Sequence, residues 1–114
     1  MSEINIDTFN ELKEIMEDNF NFLIENYIKT TSRLLDEHKN DLNAKDYNAI
    51  KIKVHSIKSS SQQIGAMELG EMSKKIELDI INNQVTNIES QMNDLVSKYK
   101  LVEAELKGLI GSGS

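Results

Sequence analysis

The 114-residue chain has no cysteine, no proline and no tryptophan, and its other aromatic residues are few. Absence of cysteine excludes a disulfide framework, a thiolate nucleophile and any cysteine-based metal site, and it fits a reducing compartment. Glycine stands only at Gly65, Gly70, Gly108, Gly111 and Gly113. No apolar run approaches the roughly 18 residues that would mark a membrane-spanning helix. The N-terminal Met-Ser-Glu-Ile-Asn carries an acid where a signal peptide would carry a basic stretch and then an apolar one. The expected location is therefore the cytoplasm. Formal net charge is −6, which argues against nucleic acid as a partner, because phosphate contacts need a basic surface.

What remains is rich in Leu, Ile, Glu, Lys, Asn and Met, a composition that favours helices joined by short turns. The length suits a single domain with one modest core, expected over residues 1–110. Gly111-Ser112-Gly113-Ser114 is expected to be a flexible tail left by cloning.

Apolar periodicity divides the domain. A short first helix is expected, capped by Asp7 or by Thr8 in a capping box with Glu11, with Phe9, Leu12 and Met16 inward. Asp18-Asn19 marks either a break or a bend. A second helix, from about 19 to 39, carries Phe20, Leu23, Ile24, Tyr27, Thr31, Leu34 and Leu35 on one stripe, with His38 on the same side near its end. His38 reads as a packed, structural histidine. Asp46 caps a third helix that ends at Gly65, a residue suited to a left-handed C-terminal position. A fourth, from about 67 to 82, turns Leu69, Met72, Ile76 and Ile80 inward. Thr86 and Glu89 have capping-box spacing before the last stripe, Ile88, Met92, Leu95, Tyr99, Val102 and Leu106. The expected fold is all-α: an antiparallel up-down four-helix bundle with a short additional N-terminal helix.

The third helix is chemically distinct. Between Tyr47 and Met67 there is no acidic residue, yet Lys51, Lys53 and Lys58 are present, so a locally basic face sits on an acidic protein. At about 100° per residue, Ile50, Val54, Ile57, Ser61 and Ile64 form the buried stripe. His55 falls outside it. Lys51, Lys58, Ser59 and Gln62 lie within roughly 60° of His55, and Ile52, about 60° from it, reads either as an exposed apolar docking contact or as a filler against a neighbouring helix. Ser60 and Ser61 are poor helix formers, so small side chains there point to close helix–helix approach.

The run HSIKSSSQQIGAMELGEMSKKIE, His55 to Glu77, resembles the signature of histidine-containing phosphotransfer (HPt) domains. The agreement comprises His, any residue, an aliphatic and Lys58; three small residues; Ile64-Gly65-Ala66; Leu69; and a closing Ile76-Glu77. Ser59 departs from the Gly found in many members, but it too is small and leaves access to the imidazole.

The resemblance implies that His55 carries a phosphoryl group received from a receiver-domain aspartate and passed to another. Expected partners are response-regulator receiver domains and a sensor or hybrid histidine kinase, with the chain itself a monomer. The chemistry suits the residues. Imidazole near neutral pH is largely unprotonated, so one ring nitrogen can attack phosphorus without a separate base. Charge spread over the transferring group is stabilised by nearby cations and donors. Lys58 is placed to neutralise it, and Gln62 to donate an amide hydrogen bond. Lys51, Ile52 and Ser59 are expected to face the partner. Glu77 reads as structural, in an ion pair or a turn contact.

There is no glycine-rich nucleotide loop, and no acidic cluster near His55 that would hold a metal ion. No cofactor or metal is therefore expected, and the chain reads as a phosphorylatable relay rather than an enzyme. Three other readings are weaker. A histidine-kinase dimerisation domain would follow its histidine with an acid and then a proline, whereas Ser56 follows here and proline is absent. A carboxylate-bridged metal bundle needs Glu-x-x-His pairs, but Leu35 and Ile52 precede His38 and His55. A purely structural helical interaction bundle fits the periodicity but leaves the signature unexplained.

Overall fold

The computed structural model describes residues 2–111, which form helices and turns without strands. Helices α1 (Ile6–Met16), α2 (Phe20–Asn43), α3 (Tyr47–Ile64), α4 (Met67–Ile81) and α5 (Ile88–Leu109) follow in order. A 3-10 turn at Glu17–Asn19 joins α1 to α2. Helices α2 to α5 make the antiparallel four-helix bundle: α2 and α4 each pack on both α3 and α5, while α1 lies against α2 and α3. Residues 112–114, most of the expected tail, lie outside the described residues.

The core follows the apolar stripes. Ile24, Ile50, Val54, Ile57, Ile64, Leu69, Ile76, Ile88, Met92, Leu95, Val102 and Leu106 are all sealed from solvent. Burying a side chain of this size stabilises the fold by about 1.5–3 kcal/mol before entropy is counted. Phe9 of α1 meets Phe20 of α2 edge to face, with ring centroids 4.9 Å apart, which fixes the short helix to the bundle.

Most buried polar groups are paired, as burial requires, with Gln91 Oε1 the exception among the described residues. The Tyr27 hydroxyl bonds Ser61 Oγ at 2.7 Å, and Ser73 Oγ donates to the Leu69 carbonyl at 2.9 Å. Burial pushes the Tyr27 hydroxyl up to about 12, against the opposing effect of its bonds with Ser61 and Thr31. His38 is buried, and its Nδ1 pairs with the Leu35 carbonyl. Its structural role is as expected.

Helix α3 starts and stops on side-chain signals. Asp46 Oδ1 accepts from the Ala49 N–H at 3.1 Å, and Gly65 takes the left-handed conformation at φ 97°. The chain before α1 docks on that turn, where the Asn5 N–H donates to the Gly65 carbonyl at 2.8 Å.

Other boundaries differ from expectation. The cap of α1 is Asn5, whose side chain accepts from the Thr8 N–H, and helix begins at Ile6 ahead of Asp7 and Thr8. Helix α2 runs four residues past Lys39, to Asn43, because Leu42 still has the core to pack against. The Thr86–Glu89 capping box does not form: α5 begins at Ile88, after Asn87, without a side-chain cap.

Candidate functional site

Val54 and Ile57 anchor α3 in the core, and this fixes the outward direction of His55, which lies between them in sequence. His55 emerges with its side chain 58% exposed. Ile52 is 61% exposed, Ser59 is exposed, and Lys51, Lys58 and Gln62 are half-buried around the same face. The helical projection thus translates directly into one surface.

Helix α4 supplies what the projection missed. Glu77 Oε2 accepts a hydrogen bond from His55 Nδ1 at 2.6 Å, and Glu77 Oε1 accepts one from Lys58 Nζ at 3.0 Å. Burial alone would raise the Glu77 carboxyl, but hydrogen bonds from Lys58 and His55 and their charges outweigh it and hold the group below its ordinary value. Ionised Glu77 can only accept, so Nδ1 must carry the ring hydrogen. The lone pair then resides on Nε2. The clue in the sequence was Glu77 as the last residue of the His55–Glu77 run. What could not be read was that α4 turns it back onto His55.

Gly70 and Gln62 complete the α3–α4 seam. A Cβ at Gly70 would stand 2.7 Å from Gln62 Cγ, so the amide side chain lies in a space that only glycine leaves open. On the other flank of α3, Ser56 and Ser60 line a cleft of about 220 Å³ against Tyr27 and Leu34 of α2. Small residues on α3 therefore serve both neighbours, with Ser61 fully buried beneath Tyr27.

Two further facts adjust the surface. Lys53 is turned away from His55 and bonds Asp41 of α2 at 2.7 Å, so it adds no free positive charge to the site. Ile81, one turn beyond Glu77 on the same face of α4, is 56% exposed and joins Ile52 as an apolar element beside the histidine.

Comparison with known proteins bears on the family and the fold. The family model described as "Hpt domain" matches residues 23–110, and the chain belongs to that family. Its role is histidine phosphotransfer within a two-component phosphorelay, a family of phosphotransfer proteins rather than kinases, whose members work with receiver domains and kinases. In structure the chain is similar to histidine-containing phosphotransfer protein B (HptB) from Pseudomonas aeruginosa PAO1, with a TM-score of 0.89 and 21% identity, over 93% of this chain and 92% of that one. That likeness shows the shared fold. A sequence search of curated proteins returned no match. No helix among the described residues is long and apolar enough to cross a membrane.

Proposed function

We propose that His55 is the phosphoryl-carrying residue of this domain. The observation that supports it best is a half-open imidazole whose Nδ1 is engaged by Glu77, so that Nε2 holds the available lone pair. Nε2 attacks the phosphorus of an aspartyl phosphate on a receiver domain. The N–P bond forms as the P–O bond breaks, and the bonding pair leaves with the carboxylate. The reverse step delivers the group to a second receiver aspartate.

Lys58 and Gln62 stabilise the charge that spreads over the phosphoryl oxygens. Lys51, Ile52 and Ser59 meet the receiver, whose acidic pocket supplies the metal ion. The chain acts as a relay rather than an enzyme, since it carries no phosphate-cradling loop for ATP. It works as a single monomeric domain over residues 1–110, in the cytoplasm.

Incubation with a phosphorylated receiver tests this. Acid-labile, base-stable label should appear on the wild-type chain and vanish in His55→Gln. Label retained by His55→Gln overturns the assignment, and a simple scaffold would bind the receiver without taking label at all.

A further inference from the structure

The negative charge of the chain is concentrated in one place. Residues 7–25 span α1, the 3-10 turn and the start of α2, and they carry Asp7, Glu11, Glu14, Glu17, Asp18 and Glu25 against the single base Lys13. That is a net −5 within a chain of −6, so the other residues together are close to neutral. All six acids are exposed, and among the described residues none of them forms an ion pair.

The same elbow holds the two most exposed large apolar side chains among the described residues, Ile15 at 76% and Phe22 at 73%. Acids flank both. Glu11 lies one turn before Ile15, and Glu25 one turn after Phe22. Beside them a cleft of about 350 Å³ opens between the elbow and the end of α5. It is lined by Phe20, Leu109 and Ile110 with Glu17 and Asp18, and Lys13 is the one base at it. Phe22 takes no part in the core stripe of Phe20, Ile24 and Tyr27, so packing within the chain does not account for an aromatic ring there.

We propose that the α1–α2 elbow docks a basic, amphipathic helical segment of a partner protein. Lysines and arginines of that segment meet the unpaired acids, while its apolar side chains cover Ile15 and Phe22. The sign of the charge selects this occupant. Anionic membrane surfaces and nucleic acids are repelled, and a second copy brings the same acidic elbow against itself. The incoming segment is helical because the elbow offers no strand edge to pair with an extended backbone, and a helix satisfies its own.

The position leaves His55 clear. Tyr27 of α2 bonds Ser61 of α3, which sets those two residues at one level of the antiparallel pair. Phe22 and His55 lie in opposite directions from that level, about 16 Å apart along the bundle at 1.5 Å per residue. A partner held at the elbow therefore does not compete with one that reaches the imidazole, and the inference stands apart from the assignment of His55.

The test is fluorescence anisotropy of a labelled synthetic peptide with Leu and Lys at helical spacing, beside an all-Lys peptide of equal charge. The Leu–Lys peptide should bind the wild-type chain, and the all-Lys peptide about tenfold more weakly. Binding of the Leu–Lys peptide should weaken by about tenfold or more in Phe22→Ser, and likewise in the double variant Glu14→Gln/Asp18→Gln. Glu89→Gln, which neutralises an exposed acid at the start of α5, should bind as wild type does. Equal affinity in wild type and Phe22→Ser overturns the proposal, as do equal affinities for the two peptides or an equal loss in Glu89→Gln. Sedimentation of the wild type as a dimer that Phe22→Ser abolishes gives the face to a second copy and overturns the partner. Circular dichroism establishes folding, and if Phe22→Ser does not fold, Ile15→Ser decides in its place.

Discussion

Gln62 crosses Gly70 so closely that a Cβ on the glycine would meet Gln62 Cγ at 2.7 Å and its Nε2 at 3.4 Å. A glycine inside a helix ordinarily costs about 0.5–1 kcal/mol relative to alanine. Here it keeps a berth for an amide two turns from His55. Gly70→Ala should therefore melt within about 1 kcal/mol of wild type, since helix propensity offsets the displaced side chain. Transfer should slow several-fold as Gln62 turns away. In a Gln62→Ala background, adding Gly70→Ala should slow transfer no further. Undiminished transfer in the Gly70→Ala single variant would remove Gln62 from the site.

Lys58 is half-buried and ion-paired, but its partner Glu77 keeps a second bond to His55. Its loss should cost no more than about 1 kcal/mol of stability, the range of partly exposed pairs. Phosphoryl transfer should respond more strongly, with Lys58→Ala slower by about tenfold or more, because a cation aimed at developing charge is worth more in the transition state than at rest. Single-turnover transfer beside a denaturation curve separates the two effects. Equal rates in wild type and Lys58→Ala would rule out the charge-neutralising role.

Access is a separate requirement from charge. Ser59 is exposed beside His55, and a bulky ring there would stand where the receiver must approach. Ser59→Trp should preserve the fold, since nothing buried is disturbed, while receiver affinity drops by tenfold or more, about 1.4 kcal/mol. Titration with an unphosphorylated receiver measures this, and unchanged affinity would count against the access argument.

The stripes of α2 to α5 were legible because burial has a period, and residues such as Ile57, Leu95 and Leu106 recur on it without interruption. The surface of α3 was legible for the same reason, since one helix fixes the mutual placement of His55, Lys58, Ser59 and Gln62. What joins two helices was not. Glu77 reaches His55 only through the α3–α4 turn, and Lys53 finds Asp41 only through α2. Helix ends were the other failure. Glu17, Lys45 and Asn83 adopt positive φ values of 50°, 54° and 58° at three of the turns, where sequence reading looks for glycine. All three are exposed, and local backbone bonds hold them there: the Glu17, Lys45 and Asn83 N–H groups donate to the carbonyls of Lys13, Leu42 and Ile80, and asparagine tolerates this region better than most residues.

Gly65 is the opposite case, a turn whose residue type is dictated. It has φ 97°, and an added Cβ would stand 2.8 Å from the Asn5 carbonyl oxygen, which is backbone and has little freedom to move. Gly65→Ala should therefore destabilise by more than about 1 kcal/mol, exceeding any gain from a less flexible unfolded chain. The Asn5 amide, bonded to the Gly65 carbonyl, should lose hydrogen-exchange protection before the α3 interior does. Wild-type stability together with a protected Asn5 amide would contradict this account of the turn.

Acid should act on the bundle through the same carboxylate that holds His55. Burial opposes ionisation of Glu77, but bonds from Lys58 and His55 and their charges win, and its value sits below the ordinary 4.5. Asp79 is lowered as well, first by its bond from Gln91 and then by Lys75. A group depressed on folding contributes its full stability above the unfolded value and loses it as pH falls through the folded one. The affected window therefore lies below 4.5. In paired urea titrations, the stability gap between wild type and Glu77→Gln should hold steady just above that value and close on further acidification. The gap should close because protonated Glu77 and glutamine are both neutral, so only the ionised form distinguishes them. A gap that persists undiminished to about pH 3 would show that the charge of Glu77 contributes nothing to the fold.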